Sequence, residues 1–161
     1  MKQISIDEYI EYVSKYCKAT SYPQIGKLYF FSYLFNQSES FKSNKSKFYD
    51  FYPATFIFNI DVKKKTFYGL NMHMIPPSDR KKWLKIIKDL TNEKPLNPKH
   101  FLKLKELIKI ADFAVRNYSM THVRKLREAP REDWSILFDD YANTTYQATM
   151  SEISAKYLSL I

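Results

Sequence analysis

The stretch YGLNMHMIPPSDRKKWLKII, residues 68–87, decides the architecture, because an alternating strand stops there at a double proline and a basic helix begins. Pro76 and Pro77 remove two consecutive N–H donors, so a strand ladder cannot continue through them. Proline is tolerated in the first turn of a helix, and Ser78 is placed to cap one. The sequence therefore predicts a strand that runs directly into a helix.

Aromatic, alternating segments on either side of this junction predict further strands. Upstream lie LYFFSYLF, ATFIFNIDV and TFYGLNMHMI, the last two joined by a turn at Lys63-Lys64-Lys65. Downstream, SMTHVRKLRE predicts a basic edge strand and SILF a last strand, with a short helical turn at residues 131–134 between them. His73 and His122 both fall in these predicted strands.

Helical patterns at both ends and in the middle complete an α+β protein. We expect a small, partly open SH3-like β-barrel of four or five antiparallel strands, with N-terminal, central and C-terminal helices. The predicted single domain covers residues 1–161. Its parts are an N-terminal helix (1–22), barrel strands (26–76 and 118–139), a helical insertion (77–117) and a C-terminal helix (140–161).

Composition narrows the function to a class. The chain has 161 residues, 26 Lys and Arg against 17 Asp and Glu, and a formal net charge of +9. A surplus of this size favours a polyanionic partner. No apolar run approaches the roughly 20 residues that cross a bilayer, so we expect no membrane partner.

The candidate nucleic-acid-binding residues are the cations of three basic segments. They are Lys63, Lys64, Lys65, Arg80, Lys81, Lys82, Arg116, Arg124, Lys125 and Arg127. If the hairpin and the late strand lie side by side, these cations would form one stripe that neutralises phosphates. Tyr49, Tyr52 and Tyr68 could add stacking on bases. The alternative is a solvated cationic surface without a ligand.

Signatures of catalysis or of a cofactor are absent from the sequence. Two glycines cannot build a phosphate loop, and no zinc spacing occurs, so we expect no cofactor and no metal. The single cysteine, Cys17, falls on an apolar helical face, which indicates a buried structural thiol. His73 and His122 could form a metal or acid/base pair only if their strands were neighbours; a structural role is the commoner one.

A set of motifs resembles a family of small tailed-bacteriophage proteins. The motifs are GKLYFF, the strand entry F-Y-x-x-Y-P-A, the hairpin end Y-G-L-N-M-H-M-I-P-P followed by Arg80, and P-R-E-D-W after the basic strand. The Gly-Leu-Asn-x-His-x-x-Pro-Pro segment is the most specific of them, and the similarity spans residues 26–151. The resemblance implies a phage origin and a role near DNA or the virion, in the host cytoplasm or the particle, with no catalytic residues to carry over.

Three functions fit these observations. The first is a non-catalytic phage protein that associates with DNA through backbone phosphates. The second is a virion structural or assembly protein that binds other phage subunits; an exposed apolar patch would favour it. The third is a nuclease, which requires His73 or His122 to meet an arginine or an acid in one cleft.

Overall fold

The structure, a computed structural model, describes residues 11, 13–33, 52–75, 77–92 and 98–134, and only the backbone of residues 77, 78, 100 and 101. The start of the predicted N-terminal helix, the SILF strand and the C-terminal helix lie outside the described residues, as does Tyr49.

Six strands and two helices have both ends within the described part of the chain, and residues 11 and 13–16 are also helical. The strands are β1 (Lys18–Ala19), β2 (Leu28–Tyr33), β3 (Ala54–Asp61), β4 (Thr66–Asn71), β5 (Val115–Ser119) and β6 (Val123–Glu128), and the helices are α1 (Pro77–Leu90) and α2 (Pro98–Ile110). Short 3-10 helices lie at Met72–Met74, Asp112–Ala114, Met120–His122 and Arg131–Asp133. The strands form one sheet in the order β1-β6-β2-β3-β4-β5, with antiparallel neighbours throughout. The α+β class is confirmed, with six strands instead of four or five.

The sheet is strongly curled, because strands that are far apart in its order meet through their side chains. β2 and β5 are three places apart, which in a flat sheet corresponds to about 14 Å. Yet the rings of Tyr33 and Tyr118 have centroids 5.1 Å apart, and the Ser119 amide donates to Tyr33 Oη at 2.9 Å. The curl therefore brings the end of β5 against the end of β2.

Both faces of the curled sheet are buried, which explains why LYFFSY reads as a nearly continuous apolar run. The concave face encloses a mostly aromatic cluster, formed by Tyr29, Phe31, Tyr33, Ile57, Phe67, Tyr118 and Leu126. The convex face packs on the two helices through a second cluster that includes Phe30, Phe56, Leu70, Leu84 and Leu104. Alternate residues of β2 thus enter different cores.

A β-bulge in β3 changes which residues share a face. Ile57 pairs with Gly69 and Asn59 with Tyr68, so Phe58 is the extra residue. Beyond it Ile60 packs on the concave cluster together with Ile57, although strict alternation predicts opposite faces. Gly69 is required at this site, since a Cβ there would stand 2.0 Å from Thr55 Cγ2.

The sequence-based helix boundaries were wrong at two places. The helical insertion was predicted to reach residue 117, but α2 ends at Ile110 and Val115–Ser119 is β5. A short apolar run fits either period, and pairing with β4 decides it. The N-terminal helix was predicted to reach residue 22, but residues 18 and 19 already pair with β6. His73 and His122 lie in 3-10 helices and not in strands. The helical turn at residues 131–134 is confirmed.

Candidate nucleic-acid interface

The 3-10 helix Met120–His122 is the junction at which the predicted basic segments meet. The Met120 amide donates to the Lys65 carbonyl at 2.9 Å, which ties the turn between β3 and β4 to the link between β5 and β6. The His122 ring lies 5.8 Å from the Tyr33 ring at the end of β2. Five strand ends therefore meet around one short helix.

Four exposed cations surround this junction, and we call them the turn cluster: Lys63, Lys64, Lys65 and Arg124. The Arg124 guanidinium donates to the carbonyls of Thr121 and Val123, each at 2.9 Å, so it is anchored on the 3-10 helix. The Lys64 amide donates to Asp61 Oδ1 at 3.0 Å and closes the turn. The geometry holds several positive charges at one end of the curled sheet.

Arg80 does not belong to any surface, contrary to the sequence-based prediction. It is fully buried, with an exposed fraction of 0%. Its Nε donates to the Ile75 carbonyl at 2.9 Å and its guanidinium donates to the His73 carbonyl at 3.1 Å. Arg80 therefore stabilises the junction that follows β4, where the chain has no regular ladder, and it cannot reach a phosphate.

Three other predicted cations lie outside the turn cluster. Lys81 and Lys82 are exposed on α1, a different element. Arg116 pairs with Gly69, whereas the turn end of β5 pairs Ser119 with Thr66, so Arg116 lies about 10 Å further along the strand. Its guanidinium donates to the carbonyls of Phe113 and Val115, and burial lowers its pKa. The burial of Arg80 therefore removes one member from the predicted stripe, and a surface shared by the remaining cations stays a prediction.

Lys125 and Arg127 line a separate cavity on β6, which we call the bulge pocket. Its volume is about 200 Å³, and its lining residues are Val13, Ser14, Phe30, Phe31, Ser32, Tyr52, Lys125 and Arg127. The register between β2 and β6 shifts here, and Lys125 has a φ of +54°. No residue type marks this bulge in the sequence, because glycine or asparagine is the usual marker of a positive φ and lysine is not.

The two histidines of the described chain that could carry chemistry do not approach each other. His73 follows the Asn71 end of β4, and His122 follows the strand that pairs with its Thr66 end, so about 17 Å of strand separates their positions. Within the described ranges no three metal-binding side chains cluster. Burial raises the pKa of the Cys17 thiol to about 12, and it is an unreactive core residue.

A comparison with protein-family models gives a match over residues 2–155, to a family described as phage T4 terminal DNA protecting protein. The chain belongs to this family. No curated protein and no solved structure was found to match it. The resemblance to a phage protein family is thus confirmed, whereas the Gly-Leu-Asn-x-His-x-x-Pro-Pro segment as its marker stays a prediction.

The matched range includes both the turn cluster and the bulge pocket of this member of the terminal DNA protecting family. It also includes Arg131, which the sequence did not single out. Its guanidinium lies 5.2 Å from the Trp134 ring and donates to Thr91 Oγ1 at 3.0 Å and to the Lys88 carbonyl. Arg131 joins the end of α1 to the segment after β6, so its contacts stabilise the folded structure. None of the helices in the described part could span a membrane.

Proposed function

We propose that this protein binds the ends of linear phage DNA and shields them from degradation, without catalysis, in the host cytoplasm or in the virion. The family is described as terminal DNA protecting, which supports DNA ends as the ligand. The turn cluster is the observation that carries the proposal, since the Lys65 carbonyl and the Arg124 guanidinium are both hydrogen-bonded to one 3-10 helix, which holds the lysine turn beside Arg124. Lys and Arg so placed bind backbone phosphates and do not read sequence.

We also propose that the barrel strands form an SH3-like barrel within one domain. Two observations support it: the order β6-β2-β3-β4-β5, and the closure of the remaining gap by the three-residue helix Met120–His122. The helices α1 and α2 are then an insertion between the third and fourth barrel strands. In this arrangement the turn cluster lies at one mouth of the barrel.

The salt dependence of DNA binding tests the proposal. Each phosphate contact that is removed lowers the slope of log K against log salt by about 0.9. We expect the triple variant Lys63→Gln, Lys64→Gln, Arg124→Gln to lower the slope by roughly 3 on a short duplex. The matched control, Lys81→Gln, Lys82→Gln, Lys85→Gln, removes the same charge from the exposed face of α1.

The same proteins are then tested for protection of a linear duplex against a double-strand exonuclease. Wild type and the α1 control should protect the duplex, and the turn-cluster variant should not. Equal losses of binding in the two triple variants would mean that total charge, and not the turn cluster, carries the association. Hydrolysis of DNA by the wild-type protein alone would refute the non-catalytic reading.

A virion structural or assembly role is the second candidate, and one surface favours it. Leu102 and Ile110 on α2 are 61% and 70% exposed, and they lie on the side of the helix away from the buried Leu104 and Ala111. If this surface binds another phage subunit, Leu102→Gln with Ile110→Gln should abolish co-elution with that subunit on size exclusion and leave DNA binding unchanged.

A further inference from the structure

The bulge pocket combines a cationic rim with an aromatic wall. Phe30 pairs with Arg127 and Ser32 with Arg124, so β6 carries one residue more than β2 between these pairs. Lys125 takes the left-handed φ of +54° at this bulge. Bulges and strained residues that re-aim side chains are frequent next to binding sites. The positive φ at Lys125 therefore marks this bulge as a candidate binding site.

The lining of the pocket specifies the chemistry of a ligand. Phe30 and Tyr52 offer aromatic surface, Ser14 and Ser32 offer hydroxyls, and Lys125 and Arg127 offer positive charge. No carboxylate from the described part of the chain lines the pocket. A ligand that has both an aromatic ring and a phosphate satisfies both kinds of surface, because bases stack on aromatic side chains and phosphates pair with Lys and Arg.

The size of the pocket limits that ligand to one small unit. Its volume of about 200 Å³ is below the roughly 300–1,000 Å³ of pockets that bury a drug-sized ligand. A base pair inside a duplex must be broken before one base can enter such a pocket, which costs a few kcal/mol and is cheapest where the base is already unpaired. A frayed strand end meets this condition and the interior of a duplex does not.

We propose that the bulge pocket receives the terminal nucleotide of a DNA strand, with its base against Tyr52 and Phe30 and its phosphate between Lys125 and Arg127. This inference rests on the proposed function and adds to it the feature by which the protein distinguishes a DNA end from the interior of a duplex. Ser32 of the pocket pairs with Arg124 of the turn cluster, and Lys125 follows Arg124 in the chain, so the pocket lies beside this member of the turn cluster. A strand end in the pocket therefore leaves its next phosphates close to the turn cluster.

The test compares three DNA ligands of equal length at one salt concentration. They are a duplex with 5′-phosphates, the same duplex with 5′-hydroxyls, and a dumbbell closed at both ends by hairpin loops. Binding is followed by fluorescence anisotropy for wild type, Lys125→Gln, Arg127→Gln, Tyr52→Leu and the control Lys103→Gln. Lys103 is exposed on α2 and does not line the pocket. Thermal melting by circular dichroism checks that each variant is folded.

We expect wild type and Lys103→Gln to bind the phosphorylated open duplex at least tenfold more tightly than the dumbbell. Each pocket variant should lower this ratio to about threefold or less. Tyr52→Leu should do so without changing the salt slope, because it removes no charge. If wild type binds the 5′-hydroxyl duplex more weakly than the 5′-phosphate duplex, the bound phosphate is the one at the 5′ end. If wild type binds the two open duplexes equally, the bound phosphate is an internal phosphate of the strand.

The outcomes separate this inference from the proposed function. If wild type binds DNA but the pocket variants keep the full preference for open ends, the inference is refuted and DNA binding stands. The same holds if wild type binds the dumbbell as tightly as the open duplex. If wild type binds none of the three ligands at low salt, the proposed function itself fails. If Arg127→Gln does not fold, the variants Lys125→Gln and Tyr52→Leu still test the inference, because Lys125 is exposed and Tyr52 carries no charge.

Discussion

Replacement of the buried Arg80 distinguishes a structural cation from a DNA-binding one. In Arg80→Met the side chain keeps roughly its length but loses the donors to the Ile75 and His73 carbonyls. A buried acceptor that loses its partner costs about 1–3 kcal/mol, so two of them cost about 2–6 kcal/mol. Total stabilities of single domains are about 5–15 kcal/mol, so the loss is a large fraction. The melting temperature should fall by roughly 10 °C.

Urea unfolding followed by tryptophan fluorescence measures this loss, since Trp134 is buried and reports on the core. The control is Lys81→Met, which removes the same charge from the exposed neighbour and should change the unfolding free energy by less than about 0.5 kcal/mol. DNA affinity under conditions in which both variants are folded should equal that of wild type for Arg80→Met. The reasoning is refuted if Arg80→Met is as stable as Lys81→Met, or if it lowers the salt slope by about one.

Three further predictions follow from single sites. Gly69→Ala should destabilise the fold by about 1–3 kcal/mol or prevent folding, because its Cβ would overlap Thr55 Cγ2; urea unfolding measures it. Lys125→Gly should raise the melting temperature, since glycine adopts the φ of +54° without strain, yet weaken binding to open DNA ends. Cys17 should resist alkylation until the protein unfolds. Because its thiol pKa is raised from 9.0 to about 12, the stability that the neutral thiol contributes is present below pH 9 and falls as pH rises toward 12; Cys17→Ala should flatten this dependence.

Local rules were sufficient for the hairpin and for the start of α1 to within one residue: the helix begins at Pro77, so Ser78 lies inside it and is not its cap. Two prolines end the strand and open the helix, and the lysine turn joins two alternating segments, so neighbours in sequence determine these features. The end of α2 could not be predicted from local patterns, because residues 115–119 fit a helical stripe as well as a strand. Their conformation is decided by pairing with β4, a contact between segments that are remote in the sequence.

The candidate site could be predicted only in part from the sequence, for the same reason. The sequence identified the cations of the turn cluster but had no means to tell Arg80 from Lys81, since both precede the apolar stripe of α1. Arg80 is buried because it donates hydrogen bonds to the His73 and Ile75 carbonyls, which lie between the end of β4 and the double proline. The gathering of Lys65 and Arg124 depends on a hydrogen bond between Met120 and Lys65 that no local pattern encodes.

The bulge in β6 brings the turn cluster and the bulge pocket next to each other. In a regular strand Arg124 and Lys125 would point to opposite faces of the sheet. With the extra residue, the Arg124 guanidinium stays on the 3-10 helix as part of the turn cluster, while Lys125 lines the bulge pocket. A strand that ends in the bulge pocket can therefore continue onto the turn cluster, whereas a DNA circle can contact only the latter.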